Sequence, residues 1–363
     1  MRKTMALLAL LLSGAVLAGC LDGPDRTDER PAEMDAASYV PPAAAPVVDA
    51  EDLLADHEAF VTAYPVRKGE DPRHEGAREA LTTLFESYGL EVYRHDFEEG
   101  GLEQANIVGI QWGHDRHNWV VVGGHYDTTT NVGPEQSQGA YDDGSGTMIT
   151  VHLAKAFSNV TPYYTMAFIA YDGEERGLQG AQAFVDQVVT ADESPYGDID
   201  IVGTVDLDMI GINWPGTQAP VTLLSNSEAI AKAADDKRVS MEWPDGQWHR
   251  KPNLNEAGLL ALGTSDYGAY MKEGIPTIFF ISDFIELGFP APSAVPVPPQ
   301  AGLPVGVYPF WHQVDTVDSM TAMAGGHDNL AAGFQAISDV AAQILFELAC
   351  HPTMEWDGVV SDA

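Results

Sequence analysis

The sequence predicts an α/β fold, with a mostly parallel central sheet covered by helices on both faces. Apolar runs of strand length alternate along the chain with segments whose apolar residues recur at helical spacing. This alternation is typical of parallel sheets, since the chain must cross back over the sheet before the next parallel strand begins. No repeat or second linker divides residues 49–363, which we therefore expect to form one large domain.

The first residues of the chain are predicted to be an export signal. Arg2 and Lys3 precede an apolar run that is too short to span a bilayer, and residues 1–19 are followed by Cys20 in the sequence Leu-Ala-Gly-Cys. This tetrapeptide resembles a bacterial lipobox, in which the cysteine becomes the lipidated first residue of the mature chain. An ordinary secretory signal that happens to contain a cysteine is the alternative. We therefore expect an extracytoplasmic protein, periplasmic or at the cell surface, whose membrane association depends on lipidated Cys20 only.

Residues 20–48 are predicted to be a disordered tether, because they are rich in Pro, Ala, Asp and Glu and lack a sustained apolar period. The whole chain has 54 acidic against 18 basic residues and a formal net charge of −36 at pH 7. Such a charge disfavours nucleic acids and anionic lipid surfaces as partners. A role in solubility is a better explanation of this negative charge than attraction of cationic peptides. With Cys20 lipidated, Cys350 is the single remaining thiol, so the fold cannot rely on an internal disulfide.

Periodicity places the elements of the domain. In residues 77–88 the apolar side chains line one helical face, and Gly89 supplies a C-cap. Helices are predicted over residues 51–63, 77–88, 145–157 and 329–348, and strands over 90–97, 105–111, 118–124, 164–171, 201–207, 221–225 and 277–282. Ligand sites of open α/β sheets lie just beyond the carboxyl ends of strands, so the polar residues at those ends are the candidates for function.

Two adjacent carboxylates, Glu174 and Glu175, follow the strand predicted at 164–171. Neighbouring carboxylates repel each other, so this placement indicates a bound cation or a role in proton transfer. A solvated acidic turn is the simple alternative in so acidic a chain.

Further potential ligands adjoin other elements. His125 ends a predicted strand, and Asp127, two residues on, could hold its imidazole in one tautomer. Asp142 and Asp143 lie in a glycine-rich turn ahead of a predicted helix. Either carboxylate could offer both oxygens to two metal ions, or simply cap the helix.

Two more segments complete the set of polar candidates. Asp206 and Asp208 lie on one face of an otherwise apolar strand, where a carboxylate is costly unless it is paired or metal-bound. His312 follows the Pro-rich segment 284–309, which forms either a rim around a substrate mouth or a surface insertion without a catalytic role. Mixed imidazole and carboxylate ligands suit zinc. One shared Asp would let five ligands serve two ions, which leaves one Glu of the adjacent pair free as a base.

These residues and motifs resemble the zinc aminopeptidases of the M28 peptidase family. The resemblance runs from about residue 105 to residue 318 and rests on the motifs GGHYDT, GAYDDGSG, DGEERGLQG, LDMIG and HQVDT. It implies a single three-layer α/β/α sandwich around a mixed sheet, without the dimerisation lid of the related M20 peptidases, and a monomer is favoured. It also implies peptide substrates and two Zn²⁺ ions.

The resemblance assigns the metal ligands residue by residue. Asp142 would bridge the two zinc ions. Glu175 and His312 would complete one site, and His125 and Asp208 would complete the other.

It also assigns residues to the chemistry. Glu174 would be the general base, Asp127 would orient the first imidazole ligand, and Asp143 would not be a ligand. Some relatives have a Tyr close to the last His ligand to stabilise the oxyanion, but Trp311 precedes that His here. Tyr267 is a candidate for this role, although core packing is its simpler explanation.

Other functions stay open. A glutaminyl cyclase-like acyltransferase has the same fold with one zinc, and a metal-free binding protein could keep the scaffold without the chemistry. A dipeptidase or carboxypeptidase of the same family is an alternative to an aminopeptidase, because no readable motif marks the groups that meet the substrate terminus.

Overall fold

The computed structural model describes residues 38–192, 194–214, 221–241, 248–251, 265–282 and 308–351. The predicted export signal, Cys20 and nearly all of the Pro-rich segment 284–309 lie outside these ranges. None of the helices within them is both long enough and apolar enough to cross a membrane.

The described strands form one mixed sheet of eight strands. They are β1 (Glu91–Glu99), β2 (Leu102–Gln111), β3 (Asp115–His125), β4 (Tyr164–Tyr171), β5 (Asp200–Leu207), β6 (Val221–Ser225), β7 (Trp248–Lys251) and β8 (Thr277–Ile281). Their order across the sheet is β1-β2-β4-β3-β5-β8-β6-β7. The central strands β4, β3, β5 and β8 pair in parallel, as do β6 and β7. The pairings β1–β2, β2–β4 and β6–β8 are antiparallel. The predicted mixed and mostly parallel sheet is confirmed.

The helices are α1 (Ala50–Ala63), α2 (Pro72–Ser87), α3 (Ser145–Phe157), α4 (Gln179–Phe184), α5 (Glu228–Ser240), α6 (Tyr267–Lys272), α7 (Val317–Ala324) and α8 (His327–Cys350). Helix α2 begins at Pro72, five residues before the predicted start. Asp71 caps it by accepting a hydrogen bond from the backbone N–H of Arg73, and proline is compatible with a first helical turn. That turn is polar, so apolar periodicity did not reveal it.

Alternate residues of the central strands point into two separate cores. Val120 and Val122 of β3 contribute to the core that α1, α2, α3, α5, α7 and α8 cover. Trp119 and Val121, on the opposite face, pack in the core with α4 and α6. Helices therefore cover both faces, and the predicted α/β/α sandwich is confirmed.

The last residues of the predicted tether contact this domain. The Tyr39 hydroxyl donates a hydrogen bond to the backbone carbonyl of Cys350. The Tyr39 ring also meets those of His114 and Tyr163 edge-on, and Val48 is buried. Residues 38–48 thus lie against the domain. The tether predicted for residues 20–37 lies outside the described residues and stays a prediction.

Glycines let the elements beneath the site approach closely. A Cβ atom on Gly146, in the first turn of α3, would lie 2.0 Å from the carbonyl oxygen of Leu207 at the end of β5. A Cβ atom on Gly124 of β3 would lie 2.6 Å from the same oxygen. Only glycine permits such backbone contacts, so these two positions bring the ends of β3, β5 and α3 together.

A buried arginine ties three loops together beside these strand ends. Arg67 is fully buried, and its guanidinium donates hydrogen bonds to the backbone carbonyls of Tyr64, Tyr126, Gln138 and Gly139. These carbonyls belong to the end of α1, the segment after β3 and the turn ahead of α3. Burial lowers the pKa of Arg67 to about 10, and neighbouring carboxylates oppose that shift. The guanidinium therefore stays charged and holds the segments that carry the polar candidates at the strand ends.

Replacing Arg67 should destabilise the protein strongly. We expect Arg67→Met to lower the free energy of unfolding by about 3–5 kcal/mol, because it leaves buried carbonyls and carboxylates without their cation. Urea denaturation followed by circular dichroism measures this change. Arg73→Met is the matched control, because Arg73 forms partly exposed pairs with Asp71 and Glu135. Losing such pairs should lower the free energy of unfolding far less than losing Arg67 does. Equal effects of the two substitutions would contradict the role assigned to Arg67.

Candidate metal centre and active site

The polar candidates meet beyond the carboxyl ends of β3, β4 and β5. His125 is the last residue of β3, and Asp208 directly follows β5. A short 3₁₀ turn, Glu174–Arg176, follows β4. Asp142 lies in the irregular turn ahead of α3, and His312 lies in the loop ahead of α7. Residues that are far apart in sequence therefore face one another.

Asp142 stands between two imidazoles. His125 Nε2 lies 3.1 Å from Asp142 Oδ1 and 3.5 Å from Asp208 Oδ1. His312 Nε2 lies 3.1 Å from Asp142 Oδ2 and 3.0 Å from Glu175 Oε2. Potential ligand atoms thus form two groups, each within 4.8 Å, that share Asp142. Each oxygen of this carboxylate faces one group.

The buried atoms of this cluster fit a metal ion. Three carboxylates, those of Asp142, Asp208 and Glu174, lie within 3.9 Å of His125 Nε2. Neither His125 Nε2 nor Asp208 Oδ1 has a well-directed hydrogen bond among the described residues, although both atoms are buried. Buried polar atoms without partners are costly. Imidazole nitrogen and carboxylate oxygen are donors that zinc accepts, so coordination would satisfy both atoms.

Protons and metal ions compete for these ligands. Burial lowers the pKa of His312, but its contacts with Asp142 and Glu175 outweigh burial and raise the pKa to about 10. Burial and the negative charge of Asp142 raise the pKa of Glu175 to about 7. Burial opposes ionisation of Asp142, yet the two imidazoles hold its pKa below the usual range. Metal binding would therefore release protons, since the ligands must be deprotonated.

Glu174 belongs to neither ligand group, although it lies beside His125 of one of them. Its side chain is 12% exposed, and its Oε2 lies 3.9 Å from His125 Nε2. Burial raises the pKa of Glu174 well above its usual value, and the negative charge of Asp208 adds to this shift. A carboxyl group with a raised pKa is suited to general acid and base catalysis.

Asp127 contacts both a potential ligand and the potential base. Its Oδ1 lies 3.3 Å from His125 Nδ1 and accepts a hydrogen bond of 3.1 Å from the backbone N–H of Glu174. A carboxylate on the far nitrogen fixes the tautomer and orientation of a metal-binding imidazole. The structure thus places Asp127 where the orienting role requires it.

Asp143 belongs to neither ligand group. Its Oδ1 accepts hydrogen bonds from the Ser145 hydroxyl and from the backbone N–H groups of Gly146 and Met209. It therefore links the first turn of α3 to the segment that follows Asp208. The peptide bond between Asp142 and Asp143 is cis.

Asp315 is a functional residue that the sequence analysis did not single out. Its carboxylate accepts hydrogen bonds from the backbone N–H groups of Tyr141 and Asp142, and from the Tyr308 hydroxyl. It thereby fastens the turn that carries Asp142 to the loop that carries His312. Its position three residues after His312 in the HQVDT motif was the available signal.

The sequence analysis did not single out Asp172 either. This buried carboxylate follows β4 and accepts hydrogen bonds from His74, Arg78 and the Tyr126 hydroxyl. It anchors α2 to the end of the strand that precedes the adjacent glutamates. An Asp directly after an apolar strand was its only signal, and that pattern does not identify partners far away in sequence.

Two residues at the site adopt backbone conformations that side chains disfavour. His312 has φ of 53°, and Met209, next to Asp208, has φ of 50°. The His312 carbonyl accepts a hydrogen bond from Asn131, and the Met209 carbonyl accepts one from Ser282. Non-glycine residues in this region are uncommon and collect at functional sites, where surrounding contacts hold them.

Three of the remaining candidates lie outside both ligand groups. Tyr267 is buried against Phe279, with ring centroids 4.6 Å apart, which agrees with core packing. Asp206 accepts a hydrogen bond from the backbone N–H of Tyr267. Trp311 lies against the ring of His312 at a centroid distance of 4.0 Å. None of these contacts assigns a described residue to stabilisation of the oxyanion.

Comparison with known proteins gives a consistent result. Peptidase family M28 matches residues 106–327, a range that includes Glu174 and every residue of the two ligand groups. A probable zinc metalloprotease of Pyrenophora tritici-repentis (strain Pt-1C-BFP) is 32% identical over 109 residues, which are 29% of this chain and 24% of that protein. The matched segment therefore spans about a quarter of that relative's length.

Solved structures share the fold. A zinc aminopeptidase from Bacillus subtilis superimposes with a TM-score of 0.63 and 13% identity, covering 86% of this chain and 98% of that one. A glutaminyl cyclase of Porphyromonas gingivalis superimposes with a TM-score of 0.60 and 16% identity, covering 84% of this chain and 99% of that one. These structures establish the architecture, while the family match covers more than half of the sequence. The chain belongs to peptidase family M28.

Proposed function

We propose that this protein is a zinc-dependent exopeptidase, and specifically an aminopeptidase, that uses two zinc ions. One observation carries the proposal: Asp142 is shared by two groups of ligand atoms, and Glu174 contacts His125 of one group without belonging to either. His125, Asp142 and Asp208 would hold one ion. Asp142, Glu175 and His312 would hold the other.

The residues around the ions have separate tasks. Zinc, when bound, acts as a Lewis acid and lowers the pKa of water. Glu174 accepts the proton of the attacking water on its carboxylate and donates it to the leaving amine. Asp127 keeps His125 and the backbone of Glu174 in place. The adjacent glutamates therefore divide metal binding and proton transfer between them.

The charge around the site favours a substrate with a free N-terminus. Asp206 and Asp266 are buried near His125 and belong to neither ligand group. In their ionised forms these carboxyl groups would attract a substrate ammonium group. A zinc aminopeptidase shares the fold, which is compatible with this choice. The glutaminyl cyclase alternative requires one zinc, whereas the described residues offer two ligand groups.

A substrate panel tests the proposed activity. The zinc-loaded protein should hydrolyse peptides and aminoacyl amides with a free N-terminus and should not hydrolyse the same peptides after N-acetylation. Release of C-terminal residues from N-acetylated peptides would instead indicate a carboxypeptidase. Cyclisation of N-terminal glutamine without hydrolysis would indicate the cyclase.

Removing the proposed base should abolish activity without removing metal. We expect Glu174→Gln to lower kcat by at least about 100-fold, because the amide cannot accept the proton. Zinc content, measured by atomic emission, should stay at the wild-type value. Undiminished turnover in this variant would exclude Glu174 as the base.

Removing the proposed bridge should empty both sites. Wild-type protein should contain about two zinc ions per chain, and Asp142→Asn should lose both, since a neutral amide cannot serve two cations. Asp328→Asn, an exposed position in the first turn of α8, is the matched control. A wild-type zinc content in Asp142→Asn would remove Asp142 as the bridge.

We also propose that the mature protein is a lipoprotein held outside the cytoplasm through Cys20. The support is the lipobox-like sequence Leu-Ala-Gly-Cys after an apolar run. In a bacterial host, the wild-type chain should sediment with membranes, and Cys20→Ala should move to the soluble extracytoplasmic fraction. Membrane association that persists in Cys20→Ala would contradict lipid anchoring.

A further inference from the structure

A cavity of about 230 Å³ adjoins the metal-ligand cluster. Three buried carboxylates, those of Asp127, Asp172 and Glu175, line it on the side of the cluster, and each already contacts a histidine or an arginine. Lys68 and Arg176 also line the cavity, and both are exposed. The cavity therefore extends from solvent to the edge of the proposed catalytic site.

The two basic residues of this cavity differ from several other basic residues in the described part of the chain. Arg73, Arg78 and Arg94 each form an ion pair with a carboxylate. Within the described part of the chain, the side chains of Lys68 and Arg176 take part in neither an ion pair nor a hydrogen bond. Acidic residues outnumber basic ones 54 to 18. Two cations that line one cavity without a carboxylate partner are therefore suited to an anion from outside the chain.

The position of the cavity identifies the anion. The cavity lies beside Glu175, next to the proposed catalytic site. An anion bound in the cavity would therefore be part of a substrate whose scissile bond lies at the metal-ligand cluster. Every unmodified peptide carries one carboxylate at its C-terminus, and ammonium and guanidinium groups both bind carboxylates through charge-assisted hydrogen bonds. We propose that Lys68 and Arg176 bind the C-terminal carboxylate of short peptide substrates, of the dipeptide and tripeptide class. This inference rests on the proposed peptidase function.

A neighbouring groove supports the restriction of this proposal to short peptides. The cavity shares Leu102 and Gln104 with a larger groove of about 900 Å³. Six acidic residues and two arginines line that groove. Both arginines already pair with carboxylates, so a further carboxylate would be repelled there. An extended residue spans roughly 3.3–3.6 Å, so a carboxylate held next to the cluster belongs to a peptide that ends soon after the scissile bond. The α-ammonium group would meet the acidic residues at the strand ends, and the carboxylate would meet the two cations.

Steady-state kinetics on the zinc-loaded full chain test this assignment. The substrates are a dipeptide with a free C-terminus and the same dipeptide as its C-terminal amide. We expect wild-type kcat/KM to be about tenfold higher for the free acid, as a charge-assisted hydrogen bond provides. The double substitution Lys68→Gln and Arg176→Gln should lower kcat/KM for the acid about tenfold and leave the amide within about twofold.

A matched control separates this effect from a general change in surface charge. Lys272→Gln removes a lysine that contacts Gln182 and does not line the cavity, and it should leave the kinetics of both substrates unchanged. The proposal is overturned if the wild type shows no preference for the acid, or if the double substitution affects acid and amide equally.

A binding measurement keeps this inference distinct from the proposed activity. Calorimetric titration of both dipeptides into zinc-loaded Glu174→Gln protein should show about tenfold tighter binding of the acid. The two cavity substitutions, added to that variant, should abolish the difference. This result supports the carboxylate site even if the wild type hydrolyses no peptide. Equal affinities for acid and amide would refute the site even if hydrolysis occurs.

Discussion

The contact of one buried carboxylate with two imidazoles is the interaction on which the site depends. Asp142 lies 3.1 Å from both His125 and His312, and each of its oxygens faces a different ring. Several further carboxyl groups are buried around this point, so their mutual repulsion must be relieved by protonation or balanced by positive charge. Protonated imidazoles can supply that charge, and metal ions can supply more of it. A bound cation would therefore stabilise the ionised forms of these acids.

Holding such a cluster together requires rigid support from outside it. Arg67, Asp172 and Asp315 are buried charged residues, and each bonds to segments that are distant in sequence. Arg67 joins the end of α1 to the turns around the site, Asp172 joins α2 to the end of β4, and Asp315 joins the two loops that carry Asp142 and His312. Buried groups of this kind are costly unless every partner is present, so they specify one arrangement of the loops.

Charge is distributed unevenly around the proposed substrate path. The chain is strongly acidic as a whole, and acidic side chains also surround the metal-ligand cluster. Lys68 and Arg176 interrupt this pattern at one cavity beside Glu175. A peptide carries an ammonium group at one end and a carboxylate at the other, so a site with opposite charges at its two ends can orient the substrate and measure its length. The overall charge of the chain, by contrast, contributes mainly to solubility.

The sequence by itself determined the fold class, most element positions and the polar candidates, because periodicity and strand-end position are local properties. Helix α3 and strand β4 match their predicted bounds to the residue. The start of α2 was not predicted, since its first turn is polar and depends on a cap at Asp71. Only the tertiary structure decided that Asp142 faces two imidazoles, that Arg67 and Asp315 support its loop, and that His312 adopts a left-handed backbone conformation. These features arise from contacts between residues far apart in sequence, which no local pattern encodes.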